Sequence, residues 1–303
     1  MDVRLKHLVE VGLTTVLPRR LLARRLKGGT LVLAFHNVVG DQRDAGLDRS
    51  LHLPLSAFLG LIDTLSATHR FAPIDEIETA PDVSAKPAVV ITFDDAYRGA
   101  VCHALPELAR RRIPSTVFVV PGRIGAEGMW WDTVAGGAGT ALTSEERARV
   151  LAEAAGDEEA VGVLAARLGW RRVPVSAACR LATREELAAV GRLPGVQFAS
   201  HSWSHPNLVR LDDARLAEEL RTPIPWLTEM FGDRFLNYFA YPYGLSDARV
   251  EMAAKAAGYR MAFRVTGGWT APAEPPYRRP RLNVPAGLSP AGMRLRGMGL
   301  FCR

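Results

Sequence analysis

The sequence predicts a parallel α/β fold, and three observations carry that prediction. Short apolar runs recur along the chain, helical patterns with readable starts separate them, and two of the runs end abruptly in carboxylates or histidines. The runs fall at 31–35, 88–93, 115–120, 196–199, 236–240, 260–265 and 281–284. Most are continuously apolar rather than alternating, as expected of parallel strands covered on both faces. Pattern alone leaves a closed barrel and an open sheet equally available.

The intervening helices carry their own signals. Ser56 is expected to open a helix over 57–65, and Thr183 with Glu186 forms a capping box ahead of 187–193. Asp212 or Asp213 opens 214–231, which Pro223 and Pro225 must break or kink. Ser246 opens 247–257 and Gly258 stops it. The stretch from about 125 to 179 is rich in Ala, Glu and Arg and too long for a simple crossover, so it reads as a mostly helical insertion beside the site.

Composition bounds the function. A chain of 303 residues, 48% hydrophobic, can bury one large α/β domain or two ordinary ones. No apolar stretch reaches 18 residues, which argues against a transmembrane helix. Cys102, Cys179 and Cys302 are scattered and form no Cys-x-x-Cys pair, so neither a disulfide framework nor a thiolate zinc site is indicated. Residues 1–28 mix Leu and Val with Arg19, Arg20, Arg24, Arg25 and Lys27; Glu10 interrupts the apolar core that a secretory signal needs. This segment reads either as a helix packed on the domain or as a basic amphipathic element on an anionic membrane surface, with the 29–303 domain following it. The lack of a clean signal points to the cytoplasm or its membrane face. The net charge of +6 suits acidic glycans, lipid-linked intermediates or that surface, and no basic stripe interleaved with aromatics suggests nucleic acid.

The chemistry lies at two strand ends. The run at 88–93 ends in Asp94-Asp95, and the run at 196–199 leads into His201-Ser202-Trp203-Ser204-His205. Catalytic groups of parallel α/β folds gather beyond the carboxyl ends of strands. Two histidines four residues apart with one carboxylate make a three-ligand set that leaves positions open for water and substrate. A second carboxylate beside it is free to take a proton from that water. Taken singly, an Asp pair also serves as a helix cap, and lone histidines are more often packed or solvated.

These residues resemble the motifs of the polysaccharide deacetylases, the NodB-homology or carbohydrate esterase family 4 proteins. Ile91-Thr92-Phe93-Asp94-Asp95 resembles the first motif, His201 to Leu208 the second, and Phe239-Ala240-Tyr241-Pro242-Tyr243-Gly244 the third. The resemblance spans about 31–285 and implies a distorted (β/α)7 barrel. It implies that Asp95, His201 and His205 bind one divalent metal, zinc first, with cobalt, nickel or iron able to take the same place. It further implies that Asp94 is the general base and that the Tyr243 backbone N–H helps hold the oxyanion while acetate leaves an N-acetylated glycan.

Two departures qualify the resemblance. Where many members begin the third motif with an arginine that orients the base, this chain has Ala240, as in the exopolysaccharide poly-N-acetylglucosamine branch; Arg281 is the candidate substitute. No histidine follows His205 to act as general acid, so His36, at the end of the first strand, is expected to fill that role, as in the circularly permuted members of the same branch. Trp130, Trp131, Tyr241 and Trp269 are the candidate substrate contacts, although large aromatics also anchor an insertion by burial. Two rivals remain: a catalytically impaired sugar-binding scaffold, and a non-haem iron oxygenase with a similar ligand set, which would need an all-β jelly roll.

Overall fold

The structure, a computed structural model, describes residues 29–41, 51–79, 85–136, 142–285 and 287–301. The expectation for residues 1–28 lies outside the described residues. β1 (Thr30–Phe35) pairs in parallel with β2 (Ala88–Asp94), and β2 with β3 (Ser115–Val119). The ladder continues through β4 (Val196–Ser200), β5 (Phe235–Ala240) and β6 (Met261–Phe263), all parallel, with a register shift between β4 and β5. β7 (Leu282–Asn283) pairs in parallel with β1. The segment leading into β7 is bonded to the opposite edge: the Arg279 N–H donates to Ala262 O and the Arg281 N–H to Arg264 O, each at 3.0 Å. The last strand thus bridges both edges of the curled sheet and gives the distorted (β/α)7 arrangement.

Alternate residues of each strand go to opposite faces. Leu31, Leu33, Phe35, Val89, Ile91, Phe93, Val117 and Val119 belong to one core cluster with the helices. Val32, Val90, Phe118, Ala199, Ala240 and Phe263 belong to another, inside the curl. Both faces are buried, which explains why the strands read as unbroken apolar runs. The same parity puts Thr92 and Asp94 on the inner face with Val90, while Phe239 and Tyr241 belong to an outer cluster.

Helix starts follow local chemistry. α1 (Leu55–Ser66) has Pro54 before it; Ser56 lies inside its first turn, its N–H and Oγ both donating to Asp41 Oδ1, so the expected Ser56 cap is corrected. α2 (Leu105–Arg110) follows β2. The insertion holds α3 (Trp130–Thr133), α4 (Ser144–Glu153, with a Thr143–Glu146 capping box) and α5 (Glu158–Arg167, capped by Asp157). α6 (Arg184–Val190) carries the expected Thr183–Glu186 box. Asp212 caps α7 (Asp213–Arg221), and a separate α8 (Pro223–Phe231) begins on its proline, where the missing N–H costs no helical bond. α9 (Ala248–Ala256) is capped by Asp247 rather than Ser246, whose Oγ accepts from Arg264 Nε at 2.7 Å. α10 (Pro290–Gly297) packs on α1, with the buried His69 between them bonded to Gly297 O at 2.9 Å. Among the described residues, no helix is long and apolar enough to cross a membrane.

Candidate active site

Three loops at the carboxyl ends of β2, β4 and β5 build the site, and all three are bent into uncommon backbone. Asp95 (φ 67°), Ala96 (φ 59°), Ser202 (φ 66°), His205 (φ 68°) and Tyr243 (φ 59°) are left-handed without being glycine. Such residues persist only where their surroundings over-determine them, and they cluster at functional sites. The histidine loop is held by Glu219 of α7, whose carboxylate accepts from the Trp203 and Ser204 N–H groups, each at 2.9 Å. Ser202 Oγ accepts from the His205 N–H at 3.0 Å.

Asp95, His201 and His205 are brought together. His205 Nε2 lies 3.2 Å from His201 Nε2, and Asp95 Oδ1 lies 3.3 Å from His205 Nε2 and 3.6 Å from His201 Nε2. Tetrahedral zinc with bonds of roughly 2.0–2.1 Å would hold its ligand atoms about 3.3 Å apart. His201 Nδ1 donates to Ala240 O at 2.7 Å, which leaves its Nε2 lone pair facing the other two. Asp95 Oδ1 has no hydrogen-bond partner among the described residues despite being buried. Burial, followed by the neighbouring Asp94 and Asp132 carboxylates, pushes the Asp95 carboxyl well above the usual range. Burial lowers both imidazoles, His205 most strongly, so both rings are neutral. A buried carboxylate oxygen lacking a donor among the described residues and two imidazole nitrogens converging on it fit a divalent cation, whose charge would reverse the Asp95 shift.

Asp94 sits beside this set but has a different partner. Arg281 grips it with both terminal nitrogens, at 2.6 and 2.8 Å, and also donates to Thr92 Oγ1 at 3.1 Å. Arg281 is fully buried, its guanidinium 4.8 Å from the centroid of the Phe118 ring, and Phe118 clusters with the small Ala240. Burial alone would raise the Asp94 carboxyl; the Arg281 charge and hydrogen bonds, with His201, outweigh it and hold the group well below the usual range. The guanidinium missing from position 240 thus arrives from the strand that closes the barrel.

A cavity of about 240 Å³ opens above these groups, lined by His36, Asp94, Asp95, His201, His205, Trp130, Trp131, Tyr243 and Asn283, with Arg147 and Leu151 from α4. His36 therefore reaches the site from β1. Burial drives its imidazole down to about 4 against the raising influence of Asp94. The insertion is fastened to the histidine loop: the Asn207 N–H donates to Ala155 O at 2.6 Å, and Asn207 Nδ2 to Leu151 O at 3.2 Å. Gly156 (φ 69°) packs on Tyr243, where an added Cβ would come within 2.4 Å of the phenol oxygen.

Two expected substrate contacts lie elsewhere. Tyr241 is fully buried on the outer face and donates to Tyr277 O, because it shares the outward parity of Phe239. Trp269 pairs with Leu31 at the start of β1, at the opposite end of the strands, and donates to Arg296 O. Trp130 and Trp131 do line the cavity, yet are only 3% and 8% exposed. Sequence reasoning missed Glu219, although a carboxylate on the same helical stripe as Leu216 and Leu220 was a readable signal.

The polysaccharide deacetylase family model matches residues 82–262. No curated protein matches the chain in sequence. Among solved structures, the chain is similar to the Streptococcus pyogenes deacetylase PplD in complex with acetate: 16% identity, TM-score 0.62, 89% of this chain and 98% of that one. It is similar to IcaB from Ammonifex degensii: 19% identity, TM-score 0.61, 89% and 97%. A de-N-acetylase from Aggregatibacter actinomycetemcomitans matches at 15% identity and TM-score 0.60, over 88% and 99%. These likenesses share the fold just described, and the family match spans the strands and loops that carry Asp94, Asp95, His201, His205 and Tyr243. The chain belongs to the polysaccharide deacetylase family, hydrolases of the amide C–N bond in N-acetylated sugars.

Proposed function

We propose that this chain removes acetyl groups from an N-acetylated glycan or glycoconjugate using one divalent metal, zinc foremost, held by Asp95, His201 and His205. The convergence of Asp95 Oδ1 and the two Nε2 atoms within 3.2 to 3.6 Å of one another, with an arginine-held carboxylate alongside, carries this reading. The metal, when bound, supplies a Lewis acid that polarises the acetamide carbonyl and acidifies water. Asp94, kept ionised and aimed by Arg281, takes the proton of the attacking water. The Tyr243 backbone N–H stabilises the oxyanion. His36 then gives a proton to the departing sugar amine, and the C–N bond breaks to release acetate. The proton that Asp94 takes from water balances the step: it passes to the leaving amine by way of His36, whose low basicity lets it hand the proton on to the more basic nitrogen.

The scaffold alternative rested on Ala240 and on the lack of a histidine after His205; the Arg281–Asp94 pair and the presence of His36 in the cavity lining weigh against it. The parallel α/β architecture leaves no ground for the oxygenase. Contact of residues 1–28 with an anionic membrane at the cytoplasmic face is proposed on their basic amphipathic pattern alone, and vesicle co-flotation of the full chain tests it. Acetate release from chitooligosaccharides and poly-N-acetylglucosamine, with stoichiometric zinc, tests the activity. Turnover on either that vanishes in Asp94→Asn supports the proposal, and equal turnover in that variant contradicts it.

A further inference from the structure

We propose that Trp131 of the insertion is a positioning residue for His205, locked by a buried hydrogen-bond relay through Tyr97 and Asp132. The proposal rests on the metal reading above and concerns how one ligand is aimed.

The two histidines are supported differently. Metal-binding imidazoles are normally oriented by a hydrogen bond from the second ring nitrogen. His201 has one, from Nδ1 to Ala240 O. His205 Nδ1 is buried and has no hydrogen-bond partner among the described residues. Its ring is instead bracketed edge-on by two aromatics, Tyr243 with centroids 4.6 Å away and Trp131 at 5.4 Å. Packing must therefore do for His205 what a hydrogen bond does for His201, and packing aims a ring only as well as the packing groups are themselves fixed.

Trp131 is fixed by a chain of polar contacts running away from the cavity. Its Nε1 donates to Tyr97 Oη at 2.9 Å, and the Tyr97 hydroxyl donates to Asp132 Oδ2 at 2.8 Å. The Met129 N–H donates to the same oxygen at 3.0 Å. His52 Nε2 approaches Asp132 Oδ1 at 3.4 Å. Asn37 Nδ2 faces both Ala178 O (2.6 Å) and His52 Nδ1 (3.0 Å); the carbonyl fixes the amide orientation, so Nδ1 accepts and Nε2 carries the proton directed at Asp132. Cys179 Sγ is also nearby, 3.8 Å from Nε2, and His52, Asp132 and Cys179 have metal-like spacing. The tautomer imposed by Asn37 makes His52 a donor there, and the cluster is the end of the relay rather than a second ion site. Tyr97 is fully buried and follows Asp95 by two residues, so the relay and the metal carboxylate grow from one loop.

The test measures metal affinity by chelator competition and the visible spectrum of the cobalt-loaded protein, with thermal unfolding to verify folding. Trp131→Leu and Tyr97→Phe are expected to weaken metal binding about 10- to 100-fold, the scale for losing a ligand's outer support, and to alter the cobalt bands. Trp131→Phe, which keeps a ring against His205, should restore part of the loss. Tyr97→Phe should add little in a Trp131→Leu background, since its uncharged hydroxyl acts through that indole. Wild-type affinity and spectrum in a folded Trp131→Leu or Tyr97→Phe protein would overturn the proposal, as would an undiminished Tyr97→Phe effect in the Trp131→Leu background. Failure of the wild type to bind metal would instead sink the underlying metal reading.

Discussion

Replacing Arg281 by methionine removes the cation that grips Asp94 while keeping most of the side chain's length. Both groups are at most 2% exposed, and two charge-assisted bonds of 2.6 and 2.8 Å join them. Methionine limits the cavity, so the loss comes mainly from a carboxylate left buried and uncompensated. Breaking such a pair from one side costs roughly 3–5 kcal/mol. Urea unfolding of the chelator-treated protein should show a loss of that size for Arg281→Met. The Asp94→Asn/Arg281→Met double variant should recover much of it, because the stranded charge is gone. Turnover at saturating metal should fall towards the level of Asp94→Asn, a drop of about 10²–10⁴-fold for a lost general base. Arg281→Lys, which retains charge but not the two-pronged grip, should lie between. An Arg281→Met protein as stable and active as wild type, or strictly additive stability losses in the double variant, would refute the idea that this arginine holds the base.

Other outcomes follow from the same geometry. Asp94→Asn should keep its bound metal, read by atomic emission after dialysis, while losing turnover; loss of metal would make Asp94 a ligand. Gly156→Val forces a branched side chain into left-handed backbone and against the Tyr243 phenol, so denaturation should show a loss of about 2–4 kcal/mol with reduced acetate release. Burial lowers the His69 imidazole below its unfolded value near 6.5, the hydrogen bonds it makes to the Gly297 and Leu65 backbone only partly offsetting it. The unfolded chain then binds more protons below that pH, so His69 contributes stability above about 6.5 that drains away as pH falls through its folded value. Unfolding series from pH 7.5 to 5 should therefore show the gap between wild type and His69→Gln narrowing as pH falls, and a constant gap would contradict this.

Much of the site was legible because its residues sit where parallel strands end, and strand ends are marked by an abrupt change from apolar to polar. Asp94, Asp95, His201 and His36 all follow such runs, and inner parity with Val90, Ala199 and Val32 aims three of them at one interior. The same parity rule exposes the error at Tyr241, which alternates with the outward Phe239 rather than with Ala240. Trp269 was misplaced because the chain turns back after Gly267-Gly268 to pair antiparallel with the start of β1, a reversal that no local pattern announces. Arg281 could be singled out but not placed, since its contact with Asp94 exists only because the short β7 closes the barrel against β1. Cap assignment failed where two acceptors compete: Asp247 outbids Ser246 for the α9 N–H groups, and Ser246 turns to Arg264. The relay behind Trp131 joins residues from four separated segments and left no sequence signal at all.

The most direct test of the central claim is metal stoichiometry by titration of the chelator-treated chain, read by calorimetry and atomic emission, for wild type and for Asp95→Ala, His201→Ala and His205→Ala. One tightly bound divalent ion per wild-type chain, lost in each of the three variants while the fold survives, is the predicted result. An ion that stays bound with unchanged affinity when any one of those side chains is removed would contradict it.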